Sequence, residues 1–310
     1  MCRNEWRTII QLQNKRLVSP FEFLLNLYSK PKYGEIDPTS IFFLTFPLFF
    51  GIILGDIGYG IAVALLAVFV SKKFASMVPL TKLIMPAALS SIFFGILFGE
   101  IFGFEELFGY HLPHVISRVH QIEEMLAISV GIGIIHINLG LLLGFINELE
   151  HGLKKAILAK GSWWLLQAGI ALIAISALGI APIPWIISAA IISLSVVMIY
   201  LGESVSGIAE IPALFSNVLS YSRLMAVGLA SVGLALVVNG FIEEFAHAGG
   251  LMIIPAILIG IFGHGLNIAL GILGGFLHSL RLNYVEFFTK FFKGGAIPFE
   301  PFGKVKEGET

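Results

Sequence analysis

Leu219-Ser220-Tyr221-Ser222-Arg223-Leu224-Met225-Ala226-Val227-Gly228-Leu229-Ala230 places one permanent cation inside an apolar stretch. No other charged side chain occurs between Glu210 and Glu243, a run of about 30 residues, against the roughly 20 that carry a helix across a bilayer. A guanidinium stays protonated at any accessible pH, and at a bilayer centre it costs about 2.5–3.5 kcal/mol on insertion scales. Such a group faces a partner or a water-filled path, or it snorkels to the headgroups. Snorkelling suits helix ends, and a dozen or more uncharged residues flank Arg223 on either side. A structural ion pair stays open, since Glu210 belongs to the same expected helix.

Outward from this helix, composition fixes the class. Of 310 residues 57% are hydrophobic and only 13% charged, where soluble domains carry about 25% charged residues. Several apolar runs exceed 18 residues without polar alternation, which predicts an all-α polytopic membrane helical bundle rather than a β-barrel. The 34 glycines suit close helix approach in lipid. A formal charge of −1 speaks against a nucleic-acid partner. Cys2, the sole cysteine, excludes a disulfide framework and a cysteine metal site.

Residues 1–37 read as a polar, cytoplasmic or interfacial segment, with Phe21, Leu24, Leu25, Leu27 and Tyr28 on a short amphipathic helix. The transmembrane domain is expected over 38–290 and a cytoplasmic tail over 291–310. Residues 40–70 form an apolar run interrupted by Gly55-Asp56-Ile57-Gly58-Tyr59-Gly60, ~47 Å long as a single helix. Lys30 and Lys32 precede it and Lys72, Lys73 and Lys82 follow, so the positive-inside rule favours a hairpin over one tilted helix. A loop carrying Glu105, Glu106, His111, His114, Arg118 and His120 reads as external and polar, with no motif completing a metal site. Trp163 and Trp164 predict interfacial anchors. About eight crossings result, the last two long and tilted, near Val205–Asn239 and Gly250–Lys290, with both termini cytoplasmic.

Both long helices carry polar seams. Glu203, Ser206, Glu210, Ala213, Asn217, Ser220 and Arg223 recur at spacings of three and four, as do His264, Asn267, Gly271, Gly274, His278 and Arg281. That spacing keeps them on one helix face, which serves either close packing or an ion path. No nucleotide-binding loop, His-Glu-x-x-His or paired intramembrane aspartates occur, so catalysis of ATP chemistry is not expected of this chain alone.

Four motifs together carry a resemblance. They are Phe46-Pro47-Leu48-Phe49-Phe50-Gly51 running into Gly55–Gly60, Leu219–Leu224, Leu277–Phe288 and Lys293–Phe302. In this order they resemble the membrane half of subunit I, or subunit a, of archaeal and vacuolar-type rotary ATPases. The resemblance implies a stator beside a rotating c ring of proteolipids, joined to peripheral and central stalks in the cell membrane. Two half-channels would deliver protons or sodium ions to ring carboxylates without a cofactor or metal. Arg223 matches the family's essential arginine and Arg281 its second arginine. Glu210, Asn217 and Ser220 would line the cytoplasmic half-channel, and His278 would border the ring. His264, Asn267 and Asp56 are further channel candidates, with an N-cap at the glycine-rich break as the equal alternative for Asp56.

Three departures accompany the resemblance. Vacuolar forms carry a histidine at the position of Ser231 and a glutamate at that of Gly271. The family's large cytosolic N-terminal domain has no counterpart in these residues, and is expected on another chain, truncated or lost. The competing readings are a secondary transporter whose Arg223 binds an anionic substrate, and a non-conducting paralogue or assembly factor.

Overall fold

A computed structural model describes residues 9–10, 12–107 and 109–298; Cys2 and the tail beyond residue 298 lie outside the described residues. After a short helix α1 (Glu22–Tyr28), the 40–70 stretch folds as two helices, α2 (Thr39–Leu54) and α3 (Ile57–Lys73). The hairpin, not the single tilted helix, is the structure. Gly55 takes a φ of +24°, outside the range of ordinary side chains. Asp56 then caps α3 by accepting from the Tyr59 amide at 2.9 Å.

Six further helices are long and apolar enough to span a bilayer. They are α4 (Ala75–Phe98), α5 (Ile122–Leu149), α6 (Leu153–Ala177), α7 (Trp185–Ala209), α8 (Ile211–Ala248) and α9 (Gly250–Lys290). The two hairpin arms, of 16 and 17 residues, are shorter, so among the described residues six of the eight expected crossings reach spanning length. The last two hold 38 and 41 residues, ~57 and ~62 Å as straight helices. A bilayer core is about 30 Å thick, so at full length both exceed it.

The fold comprises two compact units. The described residues of 41–137 and 215–286 form one, organised by two antiparallel pairings. In the first, α3 runs back along α4, and the Ile57 amide donates to the Glu100 carbonyl at 3.0 Å. Gly95 permits this approach, because a Cβ there would collide with the backbone of Asp56 and Ile57. In the second, residues 222–248 of α8 pack along α9, with Gly263 against Val238 and Gly274 against Val227.

The described residues of 1–40, 138–214 and 287–298 belong to the other unit. Here α6 packs along α7, and the Lys160 ammonium pairs with Glu203 at 2.7 Å. Trp163 is buried and donates its indole N–H to Glu203 at 3.3 Å, so it is a packed polar partner rather than an interfacial anchor. Tyr28, Phe288 and Phe292 cluster in edge-on and tilted ring contacts where α1 meets the end of α9. Ile9–Ile10 pairs in parallel with Ile297–Pro298.

Candidate functional site

The helix carrying Arg223 is not continuous. The amides of Tyr221, Arg223 and Leu224 bond three residues back, to Val218, Ser220 and Tyr221, and α8 divides into Ile211–Leu219 and Ser222–Ala248. Tyr221 anchors this break. Its ring is fully buried, lies edge-on to Phe49 and His136, and its hydroxyl meets His136 Nδ1 at 2.6 Å. Gly133 on α5 leaves room for that ring, since a Cβ would come within 2.7 Å of it.

Beyond the break Arg223 is held at two points. Nη2 donates to Ser220 Oγ at 3.0 Å, and Nη1 donates to Glu286 Oε1 at 3.3 Å. Arg281 approaches the same oxygen with Nε at 3.8 Å. Glu286 is 1% exposed, Arg223 22% and Arg281 56%. Glu286 Oε2 is buried without a hydrogen-bond partner among the described residues. His278 lies within electrostatic reach of both arginines. One buried anion thus stands behind two partly exposed cations. Glu286 did not figure among the sequence candidates, yet it is the one acid between Glu244 and Glu300, which was a signal.

A second polar group occupies the other end of the α9 seam. Tyr59 OH meets His264 Nδ1 at 2.9 Å and accepts from Asn267 Nδ2 at 2.9 Å. The same amide nitrogen donates to the Ser231 carbonyl at 2.9 Å, and Ser231 Oγ donates to Asn267 Oδ1 at 3.1 Å. Ser231 stands where the resemblance puts a vacuolar histidine, and here it completes the shell of a buried asparagine. Between the two polar ends Gly271 abuts Leu54, so the middle of the seam is packing.

The α8 seam is less regular than its spacing predicts. Ser204 has φ 61° and ψ −151°, which ends the straight run of α7 there and separates Glu203 from the residues that follow. Glu203 is engaged by Lys160 and Trp163, and Glu210 is exposed at the next bend. Asn217 is half-buried on the segment before the break.

Asp56 accepts three backbone amides, from Tyr59 and Phe102 on Oδ1 at 2.9 Å each and from Gly103 on Oδ2 at 2.8 Å. That geometry is a helix cap extended to the 99–121 loop. The loop is not wholly polar surface. Arg118 is buried and ion-paired with Glu100 through Nε at 3.0 Å and through a short Nη2 contact. It also donates to the Gly55 carbonyl at 2.9 Å and the Ile53 carbonyl at 3.3 Å, satisfying the end of α2. Burial pushes the Glu100 carboxyl above its ordinary range, and the guanidinium opposes that shift. His111 and His120 are exposed and lie against Glu106 and Glu105.

The chain matches the V-type ATPase 116kDa subunit family over residues 10–116 and 203–303. It is 35% identical to an A-type ATP synthase subunit I of Pyrococcus horikoshii, over 96% of this chain and 48% of that protein. The corresponding figures for an A-type ATP synthase subunit I of Archaeoglobus fulgidus are 33%, 96% and 53%. A V-type ATP synthase subunit I of Chlamydia pneumoniae is 26% identical over 95% of this chain and 55% of its own length. The chain therefore spans about half the length of the curated relatives it matches.

Proposed function

The chain belongs to the V-type ATPase 116kDa subunit family, and on that premise we propose that it is the ion-translocating membrane stator of a rotary ATPase. Its partners are a ring of c-type proteolipids and the peripheral and central stalks. It sits in the cell membrane over about residues 38–290, with both termini cytoplasmic. The observation that carries this reading is the state of Arg223. It is a permanent cation in an apolar helix, fixed by Ser220, paired with one shared carboxylate oxygen and still partly exposed.

The mechanism follows from that permanence. A ring carboxylate facing lipid must be neutral, because an unpaired anion there is very costly. When rotation brings it to Arg223, the cation favours the ionised form, and the bound proton or sodium ion leaves into one half-channel. The site reloads from the other half-channel after it has passed. A fixed cation between the two paths repels ions that would cross without rotation. Each leaked charge would forfeit about 2.3 kcal/mol per 100 mV.

Glu210, Asn217 and Ser220 form the cytoplasmic path in this reading. The hydrogen-bonded set of Tyr59, His264, Asn267 and Ser231 supports a polar route at the other face, and its groups can exchange donor and acceptor roles. Arg281 and His278 border the surface that meets the ring. The test is Arg223→Gln in an assembled complex reconstituted into vesicles. ATP-driven acidification or sodium uptake is expected to vanish while assembly persists; wild-type pumping would sink the reading.

A further inference from the structure

The charge count around Arg223 goes beyond a lone essential arginine. Two guanidiniums converge on a single oxygen of Glu286, while its other oxygen is buried and without a hydrogen-bond partner among the described residues. A structural ion pair buried this deeply normally uses both oxygens, because each unsatisfied lone pair retains its desolvation penalty. The contacts to the arginines, at 3.3 and 3.8 Å, are longer than the 2.7–2.9 Å of a tight charged pair. Arg223 and Arg281 keep their exposed sides free for a further anion, and Glu286, at 1% exposure, cannot itself be reached from that side. With His278 uncharged, the formal sum of Arg223, Arg281 and Glu286 is one positive charge.

We propose that Glu286 is a positioning residue, a fixed counter-ion that reduces the two-arginine site to one net cation so that it takes one ring carboxylate at a time and lets it go. The assignment rests on the stator reading above. Without this anion the site would carry two positive charges behind one incoming carboxylate, and each acid would be held too long. Without Arg281 the site would be neutral overall and would not draw the acid into its ionised form. The two defects have opposite sign, so they cancel when combined.

That cancellation is the test, with the whole rotary complex in vesicles and initial rates of ATP-driven ion uptake normalised to assembled complex. Glu286→Gln and Arg281→Gln are each expected to slow uptake about ten-fold or more, the size of effect that a buried charge change of this kind produces. The double variant is expected to return to within about three-fold of the wild type. Glu286→Asp keeps the charge and is expected to pump faster than Glu286→Gln. Wild-type uptake in Glu286→Gln, or a double variant no faster than the slower single one, overturns the proposal. If Glu286→Gln does not assemble with the ring, assembly becomes the readout: recovery in the double variant supports charge compensation, and failure there refutes it. A parallel Arg223→Gln complex separates the two levels. Pumping by Arg223→Gln would remove the stator reading itself, whereas its loss beside normal pumping by Glu286→Gln removes only the counter-ion role.

Discussion

Replacing Arg118 with methionine tests how the hairpin is held. Arg118 and Glu100 are 2% and 0% exposed, and the guanidinium also donates to the carbonyls of Ile53 and Gly55 and lies 4.9 Å from the Phe98 ring centre. Removing one partner of a buried pair costs about 3–5 kcal/mol. Orphaning carbonyls at the end of α2 adds about 1–3 kcal/mol where water does not enter. Because these losses share one site, Arg118→Met is expected to cost about 4–6 kcal/mol in total. Glu100→Gln leaves an unpaired buried cation and is expected to cost about 3–4 kcal/mol. In the double variant no charge remains, so its cost should fall below the sum of the singles by at least about 2 kcal/mol. Unfolding by SDS titration in mixed micelles, followed by tryptophan fluorescence, gives the four free energies. Additivity within about 0.5 kcal/mol would refute the pairing and the capping argument built on it.

Three further outcomes follow from the same unit. Asp56→Ala removes the acceptor of three backbone amides and is expected to destabilise the fold by about 2–4 kcal/mol in the same titration; a change under about 0.5 kcal/mol would exclude a cap. Gly95→Ala forces a Cβ into the Asp56-Ile57 backbone, with an expected cost of about 1–3 kcal/mol, whereas Gly265→Ala, in open space on α9, should match or slightly exceed wild-type stability. Tyr59→Phe removes the hydroxyl shared by His264 and Asn267 and is expected to cost about 1 kcal/mol; the stator reading adds a slower ion uptake per assembled complex, and unchanged uptake would take Tyr59 out of the ion path.

Much of this fold was legible from composition and punctuation. The lysines around residues 40–70 and the Gly55-Asp56 break decided for a hairpin, and both follow from general costs of charge and backbone strain in lipid. Residue spacing served less well where it assumed an unbroken helix. Glu203 shares a face with Arg223 only if the backbone runs straight, and Ser204 at a φ of 61° ends that assumption; a serine carries no advance sign of such a turn. For Asp56 the sequence left cap and channel level, and the three amides that converge on it come partly from Phe102 and Gly103, 46 and 47 positions away. No local pattern encodes that approach. Arg118 read as a loop charge for the same reason, since its partners lie on α2 and at the end of α4.

What separates the two buried ion-pair sets is the degree to which they are satisfied. Around Arg118, both carboxylate oxygens of Glu100 are used, and the remaining donors reach backbone carbonyls. A set closed in this way has nothing to offer a ligand, and disturbing it costs stability alone. Around Arg223, one oxygen of Glu286 serves two cations, the other has no hydrogen-bond partner among the described residues, and both cations stay partly exposed. Such a set is a poor way to stabilise a bundle, because desolvation is only partly offset. On the proposed stator reading it becomes reasonable, because a further carboxylate would arrive periodically on the exposed side. Sequence position cannot distinguish these cases, since each begins as an arginine and a glutamate in an apolar chain. The distinction lies in which lone pairs and N–H groups remain open after folding, and in this protein they remain open at the arginine that the uncharged helix isolates.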